Sequence, residues 1–194
     1  MGFGARLVLA THNRGKLDEF ERLFGGLSVE LLTAPDLELA APPETGGTYR
    51  RNARIKALAA FEATGLPALA DDTGIEIDAM GGRPGVETAD FAKRHGGWPG
   101  AHEAIADRTG LRFGITSVRA TAVCAMTLAR SRMALTEVQC RVRGQLHWPP
   151  DEALPGFAAI FETRPPMRPF AEDGVLLHRR GAFARLAAAS RVLR

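Results

Sequence analysis

The chain has 194 residues, 45% of them hydrophobic and 24% charged, enough for one substantial core and too little polarity for a disordered or fibrous protein. Twenty-five basic against 22 acidic residues leave a formal charge of +3, too small for a protein that coats nucleic acid, and the single Tyr and two Trp give little to stack bases on. No run is long and apolar enough to span a bilayer. Cys124 and Cys140, both in apolar or alternating stretches, read as buried free thiols of a soluble cytoplasmic protein.

In chain order, residues 5–10 are a short apolar run expected to form a buried strand. Lys16 opens a helical pattern with Leu17, Phe20, Leu23 and Phe24 on one face. Val29–Thr33 reads as a second strand, followed by a Pro-containing loop. Thr48 caps a predicted helix over 49–63, which Gly65 and Pro67 stop. Residues 68–71 and 75–80 are expected as two strands around an Asp71-Asp72-Thr73-Gly74 turn. Residues 86–114 are helical and irregular. Two long strands follow at 118–128 and 135–143, a further strand at 156–163 and a terminal helix at 179–193. Helices separate the early strands and hairpins join the later ones, so the pattern is a single α/β domain over 1–194 with a mixed sheet flanked by helices.

Two constellations carry chemistry. A loop that leaves a strand and enters a helix aims backbone N–H groups and the positive helix end at a phosphate; Thr11 and Asn13 add polar side chains, Gly15 permits close approach and Lys16 adds a point charge. The plain alternative is an ordinary loop with a solvated lysine. The second is Ala70-Asp71-Asp72-Thr73-Gly74. Adjacent carboxylates repel, and Mg²⁺ is a usual compensation; a metal-held carboxylate can activate a water toward phosphorus. An exposed Asp-Asp turn is its bland counterpart. Glu44, before Thr45-Gly46-Gly47-Thr48, is a second candidate ligand or a loop acid, and Lys56 by itself reads as a surface lysine.

Leu9-Ala10-Thr11-His12-Asn13-Arg14-Gly15-Lys16, Glu44-Thr45-Gly46, Asn52-Ala53, Lys56-Ala57, residues 70–79 from Ala70 to Ala79, and Gly81-Gly82-Arg83-Pro84-Gly85-Val86 occur in one order and spacing. With them the chain resembles the inosine triphosphate pyrophosphatase family, densely over residues 6–91. The resemblance implies an elongated α/β fold of two lobes with a central nucleotide cleft, often dimeric, and Mg²⁺-dependent release of pyrophosphate from inosine- and xanthosine-type triphosphates. It implies phosphate contacts from Thr11, Asn13, Lys16 and Lys56, and metal ligation by Glu44 and Asp72. It makes Asp72, beside Asp71, the activator of water, puts Thr73 where a substrate-binding Ser is usual, and places His178 and Arg179 near the base.

The later half departs from that pattern. Phe157 keeps an aromatic for base stacking, but Ala158 stands where the family has Asp, Asp173 where it has Lys, and Leu177 where it has Ser. Glu87-Thr88-Ala89-Asp90 replaces Tyr-Ser-Ala-Arg. An intact cutting apparatus with altered gripping positions leaves two substrate readings: the family's triphosphates, or another purine nucleotide, down to a monophosphate, in a nucleoside-modifying or nucleoside-antibiotic pathway. A non-catalytic nucleotide-binding protein is the third reading. Neither a nucleic acid nor a membrane is an expected partner.

Overall fold

The computed structural model describes residues 5–113, 118–163 and 170–190. Chain contacts divide it into two compact units, each assembled from separate pieces of sequence: residues 1–72, 124–140 and 179–194 form the first, residues 73–123 and 141–178 the second. Strand β1 (Ala5–Leu9) lies parallel between β2 (Val29–Thr33) and β3 (Ala68–Ile77). The main sheet then continues with β5 (Val118–Ala129), β6 (Leu135–Leu146) and β7 (Phe161–Thr163), while β4 (Arg83–Gly85) pairs antiparallel with the end of β3. A separate hairpin joins β8 (Ala171–Glu172) to β9 (Val175–Leu176).

In the first unit, Leu7, Val8 and Leu9 are all fully buried, as a strand covered on both faces requires. One face is covered by helix α2 (Tyr49–Thr64). Its Ala57 and Ala60 pack on Val8, Ala68, Ala70 and Ala129, and side chains this small let helix and sheet approach closely. Thr48 accepts the Arg51 N–H at 3.3 Å as N-cap, and Gly65 ends the helix in the left-handed region at φ 68°, both as expected. Helices α1 (Arg14–Phe24) and α5 (Leu177–Ala189) meet at Phe24 and Phe183, edge to face with centroids 4.9 Å apart. Gly181 of α5 is required by close approach, since a Cβ there would lie 2.6 Å from Cys140 Sγ. Cys124 and Cys140 are buried free thiols, as expected.

The second unit buries Ile75, Ile77, Ile105, Phe157, Phe161 and Phe170 in one cluster. It holds helices α3 (Thr88–Arg94) and α4 (Trp98–Thr109), which account for the irregular helical stretch. His102 of α4 bonds the Gly156 carbonyl oxygen at 3.0 Å. No described helix is long and apolar enough to cross a membrane.

Four element assignments are corrected, one being the expected strand at 75–80, which stops at Ile77 and passes into a 3-10 turn over Asp78–Met80. The expected turn at Asp71–Gly74 is the middle of one unbroken strand, β3, because its hydrophobic flanks on both sides are buried and pull the polar centre through the sheet. Residues 156–163 are not one strand: Gly156 at φ 61°, behind Pro155, starts a 3-10 turn over Gly156–Ile160, leaving only Phe161–Thr163 as β7. The last helix begins at Leu177 rather than 179 and ends at Ala189, while Val192 and Leu193 lie outside the described residues.

Candidate active site

The unbroken course of β3 decides what its two acids do. Successive strand side chains point to opposite faces, so Asp71 and Asp72 diverge. Asp71 goes toward α1 and α5, Asp72 toward α2.

Asp71 is 1% exposed. Lys16 Nζ, from the first turn of α1, lies 3.2 and 3.1 Å from its two carboxylate oxygens. Arg179, on α5, donates from Nε at 3.3 Å and from Nη2 at 3.2 Å to Asp71 Oδ2. A further Arg179 nitrogen, Nη1, donates to Glu19 Oε1 on α1. Burial pushes the Asp71 carboxyl up, but the Lys16 ammonium and then the Arg179 guanidinium outweigh it and hold it well below the ordinary carboxylate range. The compensation expected from a metal at this acid is supplied by two protein cations.

Asp72 meets different partners. Asn52 Nδ2 donates to its Oδ2 at 3.2 Å, and Lys56 Nζ lies 3.6 Å from its Oδ1 and 3.3 Å from Glu44 Oε2. Asn52 and Lys56 are one turn apart on the face of α2 that buries Ala53 and Ala57, so the helix that packs the core also aims the polar pair. Lys56 is therefore no surface lysine: its side chain is 13% exposed. Burial pushes the Asp72 carboxyl up to about 6, against the pull of Lys56 and Lys16 and with help from Glu44 and Asp71. A carboxylate whose proton leaves near neutrality is suited to take one from water.

The loop leaves β1 and enters a helix as expected, but the helix begins at Arg14 rather than Lys16. Asn13 is the N-cap, its Oδ1 accepting the Lys16 N–H at 3.3 Å, and Thr11 Oγ1 accepts the Asn13 N–H at 3.3 Å. The first turn of α1 thus opens on Thr11, Asn13 and Lys16 together. A Cβ at Gly15 would touch only Asn13 Oδ1, at 3.5 Å, so that side is open to a close neighbour.

In the second unit, Phe157 is 6% exposed and His178 0%. The His178 ring stacks on Phe170, centroids 5.1 Å apart at 20°, and meets Phe157 edge-on at 5.6 Å. Phe157 sits in this aromatic cluster, and Ala158 is fully buried in the same core. Thr73 begins the second-unit half of β3. Two of the departures are conformational. Asp173 at φ 50° and Gly174 at φ 71° form the two-residue turn between β8 and β9, which demands left-handed residues and favours Asp-Gly. Thr88 Oγ1 accepts the Ile75 N–H at 3.0 Å and donates to the Gly85 carbonyl oxygen at 2.6 Å, stitching β3 to the turn after β4.

Glu19 and Asn52 were not among the site residues read from sequence. The signal for Glu19 was an acid three residues after Lys16 and four before Leu23, on the apolar face of α1; for Asn52 it was a position one turn before Lys56. Among the described residues, no three His, Cys, Asp or Glu side chains gather to hold a metal by themselves. Yet Glu44 and Asp72 already converge on one cation, the Lys56 ammonium. Two hard oxygen donors at one positive centre fit a divalent ion that fills its shell with phosphate and water.

A dITP/XTP pyrophosphatase of Rhodopseudomonas palustris is 38% identical over 197 residues, 94% of each chain. One of Gluconobacter oxydans is 39% identical over 171 residues, 87% of this chain and 80% of that one. Among solved structures, a Ham1 protein of Coxiella burnetii superposes with a TM-score of 0.80 at 26% identity, covering 95% of this chain and 98% of the other. A nucleoside-triphosphatase / dITP/XTP pyrophosphatase of Mycobacterium abscessus gives 0.68 at 30% identity over 95% of both. The Ham1 family pattern matches residues 7–189, a span that takes in the α1 loop, Glu44, the whole of β3 and Arg179, and the chain belongs to that family.

Proposed function

We propose that this protein hydrolyses purine nucleoside triphosphates of the inosine and xanthosine type to the monophosphate and pyrophosphate, with Mg²⁺ as cofactor. It is a hydrolase of phosphoric anhydride bonds. The observation that carries the reading is the convergence of Glu44 and Asp72 on one cation, in the unit where Lys16 and the first turn of α1 also stand. The dITP/XTP pyrophosphatases to which the chain is similar support the same substrate class.

In this reading Glu44 and Asp72 hold the divalent ion, which when bound screens phosphate charge and makes water more acidic. Asp72 accepts a proton from the water that attacks phosphorus, and the bond to the leaving pyrophosphate breaks. Lys16, Lys56 and the α1 N-terminus, with Thr11 and Asn13, hold the phosphate oxygens and neutralise the charge that gathers on them. Asp71, without exposed surface, orients Lys16 rather than moving a proton. We further expect Thr73 to contact the nucleotide and the protein to act as a cytoplasmic homodimer. The alternative of a different nucleotide draws on the altered positions together, Ala158, Asp173, Leu177 and residues 87–90, of which Asp173 also serves the turn between β8 and β9.

The test is a panel of purine mono-, di- and triphosphates with Mg²⁺, assayed separately for pyrophosphate and orthophosphate. Pyrophosphate from inosine or xanthosine triphosphate is the expected result. Orthophosphate from a monophosphate, with triphosphates inert, would replace the reading.

A pH dependence follows for the cation. Below about 6 the Asp72 carboxyl is protonated, so an incoming ion must displace that proton; above it the carboxylate is ready. Mg²⁺ affinity is therefore expected to rise as pH climbs through about 6, with proton release at the acid end. Calorimetry in two buffers of different ionisation heat reads this directly, and a flat affinity would refute it.

A further inference from the structure

Asn52 is 3% exposed and uses both ends of its amide. Its Oδ1 accepts the Gly46 N–H at 2.8 Å, and its Nδ2 donates to Asp72 Oδ2 at 3.2 Å. The orientation is unambiguous chemically: a backbone N–H only donates and a carboxylate only accepts, so the amide oxygen must face Gly46 and its nitrogen Asp72. One side chain thus spans the loop that carries Glu44, two residues before Gly46, and the strand that carries Asp72. The loop is seated hard on α2 at this point. A Cβ on Gly46 would lie 2.5 Å from Asn52 Oδ1, 2.6 Å from Arg51 Cβ and 3.0 Å from the Asn52 nitrogen.

We propose that Asn52 is a positioning residue that sets the spacing of Glu44 and Asp72 and turns Asp72 Oδ1 toward the cation they share. The inference rests on the reading that these two carboxylates hold the metal. A neutral amide meets both demands in a buried place. A hydrocarbon would strand the Gly46 N–H and Asp72 Oδ2 without their bond, and a carboxylate would keep the first bond but set a second negative charge against Asp72. The side chain touches neither nucleotide nor cation in this scheme. It acts through the two acids, as groups behind metal ligands commonly do.

The experiment uses Asn52→Ala, which loses both bonds, and Asn52→Asp, which keeps the loop bond and loses the donor to Asp72. Mn²⁺ binding without nucleotide is followed by the free-ion paramagnetic resonance signal. Separately, kcat and KM are measured with inosine triphosphate and Mg²⁺, and folding is checked by melting temperature. Asn52→Ala is expected to weaken Mn²⁺ binding by about tenfold and to lower kcat more than it raises KM. Asn52→Asp is expected to lose kcat and, with a second buried carboxylate set against Asp72, to melt earlier than the wild type. Variants that melt earlier but keep wild-type Mn²⁺ affinity and kcat would overturn the proposal, leaving Asn52 a loop tie only. Wild-type protein that binds Mn²⁺ but releases no pyrophosphate from any triphosphate would sink the proposed function, while the Mn²⁺ comparison still decides the role of Asn52. Wild-type protein that binds no Mn²⁺ and also releases no pyrophosphate from any triphosphate would overturn both.

Discussion

Replacing Asp72 by Asn is expected to lower turnover by about 10³-fold or more and leave the fold intact. The amide is the same size as the carboxylate and can still accept the Asn52 Nδ2 hydrogen through its oxygen. What it cannot do is take a proton from water or bring a negative oxygen to a cation. Stability is expected to hold or rise, because burial already works against the charge at this position, pushing the carboxyl up to about 6. Pyrophosphate release and urea denaturation of the same preparation check both halves. Wild-type turnover in the variant would remove Asp72 from the chemistry.

Arg179→Met is expected to cost about 3–5 kcal/mol of folding stability, because it strips the guanidinium from two buried acids at once. Asp71 and Glu19 are 1% and 7% exposed, and Met fills most of the same volume without offering them a donor. A base-contacting arginine would instead raise KM and leave stability nearly unchanged, so denaturation and kinetics on one variant separate the two roles. The pH dependence adds a check on the cause. In the wild type, Asp71 is held below the ordinary carboxylate range, so its stabilising contribution is fully present above the unfolded value near 3.8 and is lost as pH falls through the lower folded value. Without Arg179 that carboxyl rises, and the variant takes up a proton on folding as pH falls. The stability gap between the two proteins should therefore narrow toward acid pH. A gap that stays constant would mean lost packing, not lost charge compensation.

The elements most legible in the sequence were those whose signals are local. Thr48 and Gly65 bracket α2 because a cap and a left-handed stop act within a few residues of themselves. The loop at Thr11–Lys16 was readable for the same reason, since polar residues, a glycine and a lysine at a strand-to-helix junction carry their meaning locally, while the capping by Asn13 came from the structure. The misreadings came where distant packing overrode local preference. Asp-Asp-Thr-Gly has turn composition, yet Leu69, Ala70, Ile75 and Ile77 are buried on either side of it, and this burial draws the segment straight through the sheet.

The sequence by itself determined the family, the α/β pattern, the Thr11–Lys16 loop and the presence of two acids with Glu44 and Lys56 among the site candidates. Only the tertiary structure decided that the two acids part. Asp71 turns into a buried ion network with Lys16, Arg179 and Glu19, and Asp72 turns to Asn52, Lys56 and the Glu44 loop. The physical reason is strand alternation combined with low exposure. Adjacent residues of one strand are sent to opposite faces, and once out of water each charge is governed by partners brought from as far as 108 residues away.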